Sequence, residues 1–346
     1  MTGLPTLVMG EALVDVLTGD QGELRPTPGG SPANVALGLA RLGRPVRLAT
    51  RTGDDTYGAL VRDHLTRDGV LLVDGATDAN PTATATVTFR QNGSARYDFA
   101  LHWQLSTATT AALHGGTGYA HLHTGSLATA LAPGAAQVLA AVRAARPWAT
   151  VSYDPNLRPT LLDGPEVERP RVEALVDLAD LVKASEEDLD WLYPDLGAAR
   201  AAADWAQRGP SLVVLTRGDA GATAFWPHGS YEVPAVPVDV ADTVGAGDAF
   251  MSGLLHGLLA AGLLGGDGTR DQVPGRAALR AATRSAQTPD RVPTALRLAA
   301  LAAAVTCGRP GADPPTAAEL RSLAEPDGRR LARNATAPPV SWEDGR

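Results

Sequence analysis

Hydrophobic positions near the start of the chain follow first a strand period and then a helix period. Residues 6–9 form an apolar run that predicts a strand, and residues 12–17 extend it. After a cluster of Gly and Pro, residues 32–42 carry apolar side chains at helical spacing and stop at Gly43. This order predicts a β-loop-α unit.

Strand and helix patterns alternate regularly from about residue 119. The predicted strands are residues 119–123, 149–154, 181–183 and 212–216, and helices are predicted near 134–145, 167–179, 186–192 and 197–208. Such alternation predicts an α/β fold with a parallel, doubly wound sheet. Hairpin strands at 222–226 and 231–233 follow, and a long helix is predicted from about Gly247.

Two other segments depart from this alternation. β-Branched residues alternate along 82–90 and predict a strand, which pairs with residues 96–101 through a turn containing Asn92-Gly93, a dipeptide that favours tight hairpins. Residues 264–294 are polar, contain Gly and Pro and have weak periodicity, so they predict a mobile insertion.

Composition and charge exclude several classes of protein. Of the 346 residues, 44% are hydrophobic and 20% are charged, which indicates a globular protein and excludes disorder for most of the chain. The net charge of −8, without any run of Lys or Arg, argues against a nucleic-acid partner. Cys307 is the only cysteine, and the apolar tract 295–305 is too short to span a bilayer. We therefore expect a cytoplasmic protein with no membrane partner.

Several common active-site motifs do not occur in the sequence. Lys183, the single lysine, has no Gly before it, which excludes the phosphate loop of P-loop NTPases. The motifs of protein kinases and the GxGxxG loop of dinucleotide folds after the first strand do not occur either. Ser31 nearly matches a serine-hydrolase elbow, but Pro32 lacks the backbone N–H that an oxyanion hole requires.

His121 and His123 alternate on a predicted strand and would share one face of it. This spacing permits metal ligation, but the sequence contains no HExxH motif and no cysteine pair to complete such a site. We interpret both histidines as structural residues.

The segment from Asp242 to Phe250, DTVGAGDAF, joins a Gly-rich turn to an apolar helix. Its glycines, Gly245 and Gly247, permit close approach of a ligand to the backbone, and free N–H groups at a helix start form an anion hole suited to phosphate. Asp248 would lie beside this hole, where it can accept a proton from an attacking alcohol. The same residues also fit a simple helix cap.

A second candidate segment, GGSPANVA, begins at Gly29 and Gly30. Asn34 in the following helical turn offers a donor and an acceptor to ligand hydroxyls, and Asp15 on the preceding strand adds a carboxylate acceptor. An ordinary turn with Ser31 as N-cap fits equally well, and the two interpretations are compatible.

Together these two segments resemble the signatures of the ribokinase-like (PfkB-type) carbohydrate kinase family, with fructokinases closest in motif. Similar segments occur over most of the chain, including GEALVDVL, VSYDPNLRP and VLTRGDAGA. The resemblance implies a three-layer α/β/α core with a small β-sheet lid. We expect residues 1–346 to form one such domain, with lid strands near 12–17 and 84–101.

The resemblance also implies roles for individual residues. It makes Asp248 the catalytic base. The expected anion hole is Gly245, Ala246 and Gly247. The expected sugar-binding residues are Asp15, Gly29, Gly30, Asn34 and Arg158. The expected nucleotide-binding residues are Thr216, Gly218, Gly221, Thr243, Gly245, Ala304 and Gly311. The family further implies ATP and Mg²⁺ as cofactors, with Asp242 near a monovalent cation such as K⁺. Ser185 and Asp188 stand where many members carry Asn and Glu.

The expected acceptor is an unphosphorylated sugar, because the Gly29–Asn34 loop lacks the lysine that members acting on sugar phosphates usually carry there. Fructose is the first choice, since residues 154–159 resemble a segment of fructokinases and of 2-keto-3-deoxygluconate kinases, although residues 97–103 depart from both. Arg158 fits either the substrate cleft or a surface ion pair. A sugar acid, a nucleoside and a non-catalytic sensor remain alternatives.

The expected mechanism is direct in-line transfer from ATP, with lid closure excluding water. Pairing of lid edge strands between subunits would give a homodimer.

Overall fold

The computed structural model describes residues 3–18, 24–89, 95–113 and 118–324. The strands are β1 (Thr6–Met9), β2 (Leu13–Thr18), β3 (Leu24–Gly29), β4 (Val46–Ala49), β5 (Thr52–Gly53), β6 (Leu71–Leu72), β7 (Thr77–Asp78), β8 (Thr84–Phe89), β9 (Ala95–Ala100), β10 (His121–Gly125), β11 (Thr150–Asp154), β12 (Leu181–Ser185), β13 (Leu212–Thr216), β14 (Ala222–Trp226) and β15 (Gly229–Val233). The helices are α1 (Ser31–Arg41), α2 (Thr56–Arg67), α3 (Thr107–Leu113), α4 (Gly134–Ala145), α5 (Pro165–Val176), α6 (Glu186–Leu192), α7 (Ala198–Ala206), α8 (Ala246–Ala260), α9 (Pro274–Ala282), α10 (Val292–Cys307) and α11 (Ala317–Ala324).

The main sheet follows the order β15-β14-β13-β12-β11-β10-β1-β4-β6 within these ranges. All neighbours from β13 to β6 are parallel, and the β14–β15 hairpin adds antiparallel strands at one end. After β1 the chain first forms β4 on one side of β1 and later forms β10 on the other side of β1. This order confirms the predicted doubly wound sheet.

Side chains on successive residues of the central strand point to opposite faces of the sheet. Val8 of β1 packs in the core formed with α1, α8 and α10. Leu7 and Met9 pack in the other core, together with α4, α5, α6 and α7. Helices therefore cover both faces of the main sheet, as the three-layer prediction requires.

A second sheet has the order β3-β2-β8-β9. It contains both predicted lid segments, 12–17 and 84–101, although its action as a lid remains a prediction. The turn predicted at 91–94 lies outside the described residues. The patterns did not predict β3 as a strand, because Pro26 and Pro28 lack the N–H that sheet pairing uses and are tolerated at a sheet edge.

Residues 264–294 contain the helix α9, where the weak periodicity predicted a loop. Leu279 of α9 is fully buried, and Arg276 forms an ion pair with Asp180 at 2.6 Å. The Trp226 side chain donates to the carbonyl of Ser285 at 2.8 Å. The helix was missed because it is short and flanked by Gly and Pro. That the segment is a mobile insertion remains a prediction.

In the described ranges, every helix is too short or too polar to cross a lipid bilayer.

His121 and His123 lie in the buried strand β10 and share hydrogen bonds with hydroxyl groups of β11. His121 Nδ1 lies 2.7 Å from Thr150 Oγ1 and its Nε2 lies 2.8 Å from Ser152 Oγ, while His123 Nδ1 lies 2.9 Å from the same oxygen. Burial lowers the pKa of each imidazole to about 3, so both are neutral at pH 7. Among the described residues, no three His, Cys, Asp or Glu side chains are placed to hold a metal ion.

Replacing His123 by Asn is expected to make folding less sensitive to acid. The unfolded imidazole binds a proton below its ordinary pKa of 6.5, whereas the folded one stays neutral to about 3, so stability falls as pH falls below 6.5. At about pH 5 this costs about 2 kcal/mol for one imidazole relative to about pH 8.

Urea titrations of the unchanged chain and of His123→Asn at these two pH values measure the effect. The difference in unfolding free energy between the two pH values should shrink by about 2 kcal/mol in the variant. His228→Asn, which removes an exposed imidazole, is the control. An unchanged difference in His123→Asn would contradict a neutral buried imidazole.

Candidate active site

Polar residues gather where the parallel strands of the main sheet end, and some of them are predicted site residues. Glu11 follows β1, Asp154 ends β11, Ser185 ends β12 and Thr216 ends β13. The carboxyl ends of parallel strands meet at one edge of a sheet, where α/β proteins bind their ligands. The start of α8 lies at the same edge, because a Cβ on Gly247 would lie 3.4 Å from Nζ of Lys183, which forms an ion pair with Asp154.

In the first turn of α8 the Ala246 N–H donates to the Thr243 carbonyl at 3.2 Å, whereas the described chain gives the N–H groups of Gly247 and Asp248 no backbone acceptor. The N-cap of α8, Gly245, adopts a left-handed conformation with φ of 75°. A side chain there would lie 2.5 Å from the Cβ of Ala312, so the position requires glycine. Ala246 and Gly247 follow and line the large cavity described below. The predicted anion hole therefore opens toward this cavity.

Asp248 is buried in this first turn and accepts two hydrogen bonds from α1. The Ser31 hydroxyl donates to its Oδ1 at 2.6 Å, and the Asn34 amide donates to its Oδ2 at 2.8 Å. The sequence analysis predicted that Asn34 binds the sugar and that Ser31 fits the N-cap position of the helix. In the structure the N-cap of α1 is Gly30, and both side chains orient Asp248.

Burial raises the pKa of Asp248 above its ordinary value, although several groups oppose that change. The hydrogen bonds from Ser31 and Asn34 favour the charged carboxylate, and so do the charges of Lys183 and Arg158. The helix dipole of α8 adds to them. Asp248 is thus a carboxylate whose two oxygens are oriented and whose proton affinity is above normal.

Two other predicted sugar-binding residues, Asp15 and Gly29, lie on β2 and β3 of the second sheet. A Cβ on Gly29 would lie 2.2 Å from Oδ2 of Asp15, so the carboxylate fills the space that a side chain at 29 would take. Gly30 has a φ of 102°, and a Cβ there would lie 2.7 Å from the carbonyl oxygen of Glu11. Burial raises the pKa of Asp15, and the nearby charge of Arg158 opposes this.

Arg158 lies in the exposed loop after β11. Its guanidinium donates to Oδ1 of Asn156 at 2.6 Å, so its own loop orients it. Its charge also acts on Asp15, Asp248 and Glu11. The contact of Arg158 with a substrate remains a prediction.

A cavity of about 560 Å³ lies beside the start of α8. It is lined by five of the residues predicted on the nucleotide side, which are Thr216, Gly218, Gly221, Thr243 and Ala304. Gly245 and Gly311 are not among its lining residues. The sequence analysis missed one wall, formed by residues 235–238 with Val240, because this loop has no periodicity to mark it.

Asp242 connects the loops on two sides of this cavity. Its Oδ1 accepts a hydrogen bond from the Val244 N–H at 3.0 Å and its Oδ2 accepts one from the Gly311 N–H at 2.8 Å. These bonds hold the pKa of the carboxyl below its usual value. The hydrogen bond from the Gly311 N–H to Asp242 therefore connects Gly311 to the site. The carboxylate is placed by backbone donors, and its contact with a cation remains a prediction.

Ser185 and Asp188 form a capping box at the start of α6. The Ser185 hydroxyl accepts from the Asp188 N–H, and the Asp188 carboxylate accepts from the Ser185 N–H, both at 3.0 Å. The second carboxylate oxygen accepts from the Leu157 N–H at 2.7 Å. Ser-x-x-Asp spacing at a helix start is a signal that could have identified this cap.

The sequence analysis missed two further groups in this region. Glu11 is buried and accepts a hydrogen bond from the Ala128 N–H at 2.9 Å, and burial raises its pKa to about 7. Lys183 of β12 forms a buried ion pair with Asp154 at 2.8 Å. The isolated position of the only lysine in the chain was a signal for the second group.

Comparison with known proteins points to one family. The family described as pfkB family carbohydrate kinase matches residues 9–318. A fructokinase from Klebsiella pneumoniae is 36% identical over 266 residues, which span 74% of this chain and 85% of that protein.

Two solved structures are similar over nearly the whole chain. A fructokinase with bound ATP from Xylella fastidiosa gives a TM-score of 0.78 at 29% identity, covering 92% of this chain and 97% of that one. A fructokinase from Vibrio cholerae O395 in a form with fructose, ADP and calcium ion gives 0.73 at 28% identity, covering 94% and 100%.

Proposed function

The chain belongs to the pfkB family of carbohydrate kinases and is a sugar kinase, and on this premise we propose that it phosphorylates D-fructose with ATP. One observation carries the proposal: the buried carboxylate of Asp248 lies between the Gly29–Asn34 loop and the large cavity, with both oxygens oriented by α1. A base in this place serves an acceptor hydroxyl on one side and a phosphoryl donor on the other.

ATP is the phosphoryl donor that we propose for the cavity beside α8. Its walls are mainly aliphatic, with Val236, Val238 and Ala304 among them, which suits the face of a purine ring. Ala246 and Gly247 line the end nearest Asp248, where the phosphates would meet the N–H groups of α8. The ATP bound by the Xylella fastidiosa relative supports this assignment.

The described residues fit a Mg²⁺ ion that is held mainly by the ATP phosphates and water, because they offer no cluster of three protein ligands. We propose that Asp188 faces this hydrated ion, since each of its oxygens accepts only one backbone hydrogen bond in the described chain. When bound, Mg²⁺ neutralises phosphate charge. We propose Asp242 as the residue nearest a monovalent cation such as K⁺.

In the proposed mechanism, the sugar lies against Asp15, Gly29, Gly30 and Asn34. Its reacting hydroxyl faces Asp248, which accepts the proton as the hydroxyl oxygen attacks the γ-phosphorus in line. The N–H groups at the start of α8 stabilise the charge on the transferred group. No covalent phosphoenzyme is required.

A sugar acid such as 2-keto-3-deoxygluconate is the second candidate acceptor. The exposed guanidinium of Arg158, close enough to influence Asp15, would pair with the carboxylate of such a substrate. A nucleoside is a weaker alternative, since no described contact favours a base at this position. A non-catalytic sensor is set aside, because the chain is a sugar kinase. A cytoplasmic location without nucleic-acid or membrane partners remains a prediction.

Asp248→Asn is expected to lower the rate of ADP release with fructose by about 10²–10⁴-fold, because the amide cannot accept the proton. The KM for fructose should change little, since Asn keeps the shape of the side chain. Purified protein would be assayed with ATP and fructose, 2-keto-3-deoxygluconate, other hexoses, ribose and nucleosides.

Asp195→Asn, which changes an exposed carboxylate, is the control for Asp248→Asn. Full activity in Asp248→Asn would remove Asp248 as the base. Turnover of another acceptor in place of fructose would reassign the substrate. ADP release that is equally fast without sugar would contradict the exclusion of water by the lid.

Ala304→Phe is expected to raise the KM for ATP by about 10-fold or more, because the ring would occupy the proposed purine position. The KM for the sugar should stay within about 3-fold, since Ala304 lies in the cavity and away from Asp15. Initial-rate assays with each substrate varied separately measure both values. Ala318→Phe on the exposed surface is the control, and an unchanged KM for ATP in Ala304→Phe would place the nucleotide elsewhere.

We also propose a homodimer in which β9 strands pair across two copies of the lid sheet. β3 and β9 are the edges of this sheet, and the prolines of β3 block its use as a pairing edge. Light scattering should give twice the chain mass of 35.7 kDa. A mass of a single chain would contradict the dimer.

A further inference from the structure

The ion pair between Lys183 and Asp154 is almost completely buried. The Lys183 Nζ donates to Asp154 Oδ2 at 2.8 Å, and the two side chains are 5% and 1% exposed. Apolar residues often give equal or greater stability than a buried ion pair of this kind, because both charges must leave water. Stability alone therefore does not account for a charged pair at this position.

The ammonium group of Lys183 lies against the start of α8. A Cβ built on Gly247 would be 3.4 Å from Nζ, so only a glycine hydrogen separates the helix backbone from the charge. Gly247 lines the cavity and directly precedes Asp248. Lys183 therefore stands where the anion hole, the base and the cavity meet.

The charge and the donors of Lys183 are available at this point. Burial opposes its charged form, but the ion pair with Asp154 outweighs this effect and raises the pKa above the ordinary value. An ammonium group has three N–H donors, and within the described chain the structure gives it one hydrogen bond, to Asp154. The group is therefore cationic and has donors left for an anion.

We propose that Lys183 is a catalytic residue of the phosphoryl transfer, and that its ammonium, held in place by Asp154, contacts the oxygens of the transferred group at the start of α8. This inference rests on the proposed function. In the step, the bond between the γ-phosphorus and the bridging oxygen of ADP breaks, and its electron pair leaves with ADP. The sugar oxygen forms the new bond to phosphorus and its proton goes to Asp248. Lys183 keeps its protons throughout and neutralises charge.

A purely structural role, in which Lys183 only balances the charge of Asp154, is the competing explanation. Lys183→Met alone leaves Asp154 buried and unpaired, which threatens folding. The double variant Lys183→Met/Asp154→Asn removes both charges together. Its urea midpoint should stay close to that of the unchanged chain, so that its activity can be interpreted.

The double variant should lose about 10²–10³-fold in kcat with fructose, while the KM for fructose stays within about 3-fold. Calorimetry without sugar supplies a second measurement, using ADP and the non-hydrolysable analogue AMP-PNP. Binding of the analogue should weaken by about 10-fold and binding of ADP by less than about 3-fold, because only the analogue carries the γ-phosphoryl group.

The matched control is Arg276→Met/Asp180→Asn, which removes another ion pair, with side chains 14% and 2% exposed, away from this site. It should leave the preference for the analogue over ADP unchanged. Unchanged kcat and unchanged analogue affinity in the Lys183 double variant would overturn the proposal. A loss of kcat alone supports a contact made in the transition state. If the unchanged chain phosphorylated no sugar, the proposed function would fail, and the calorimetric comparison would still decide the role of Lys183.

Discussion

The carboxylate of Asp248 joins the two halves of the site, and the rest of the arrangement depends on its two hydrogen bonds. Ser31 and Asn34, at the start of α1, hold the oxygens of a residue at the start of α8. α1 follows directly from β3 of the second sheet, and α8 opens toward the cavity. The helices approach closely because Gly38 leaves room for the Ser252 hydroxyl, which a Cβ at 38 would meet at 2.4 Å. The Gly29–Asn34 loop, the Asp248 carboxylate and the cavity beside α8 are therefore placed by one interhelical contact.

The fold and the chemistry were predictable from the sequence to different extents. Regular alternation after residue 119 predicted the parallel sheet, because burial on both faces imposes a strong local pattern. β3 and α9 were missed, since Pro and Gly obscure local periodicity in both. The hydrogen bonds of Ser31 and Asn34 to Asp248 were not predicted, because each joins residues more than 200 positions apart and leaves no local signal. The same holds for the cavity wall at 235–238, which only tertiary packing forms.

The site concentrates buried acidic groups that a stable core would avoid. Burial raises the pKa of Glu11 to about 7 and that of Asp154 to about 6, in each case against the effect of neighbouring donors or cations. Backbone N–H groups satisfy Asp188, and hydroxyl and amide donors satisfy Asp248. A buried acidic group lowers the stability of the fold unless hydrogen bonds or an ion pair satisfy it. The site therefore depends on each of these contacts. The surrounding apolar layers of the sheet supply the compensating free energy.

The burial of Lys183 also determines how the folded chain responds to chemical labelling. Lys183 is the only lysine of the sequence. Its side-chain amine is buried in the ion pair with Asp154. Acylating reagents and amine-directed crosslinkers need an exposed, unprotonated amine, and the described surface presents no lysine to them. Coupling chemistry aimed at carboxylates or at guanidinium groups would reach the surface instead. An amine reagent that does modify residue 183 would therefore report opening of the active site.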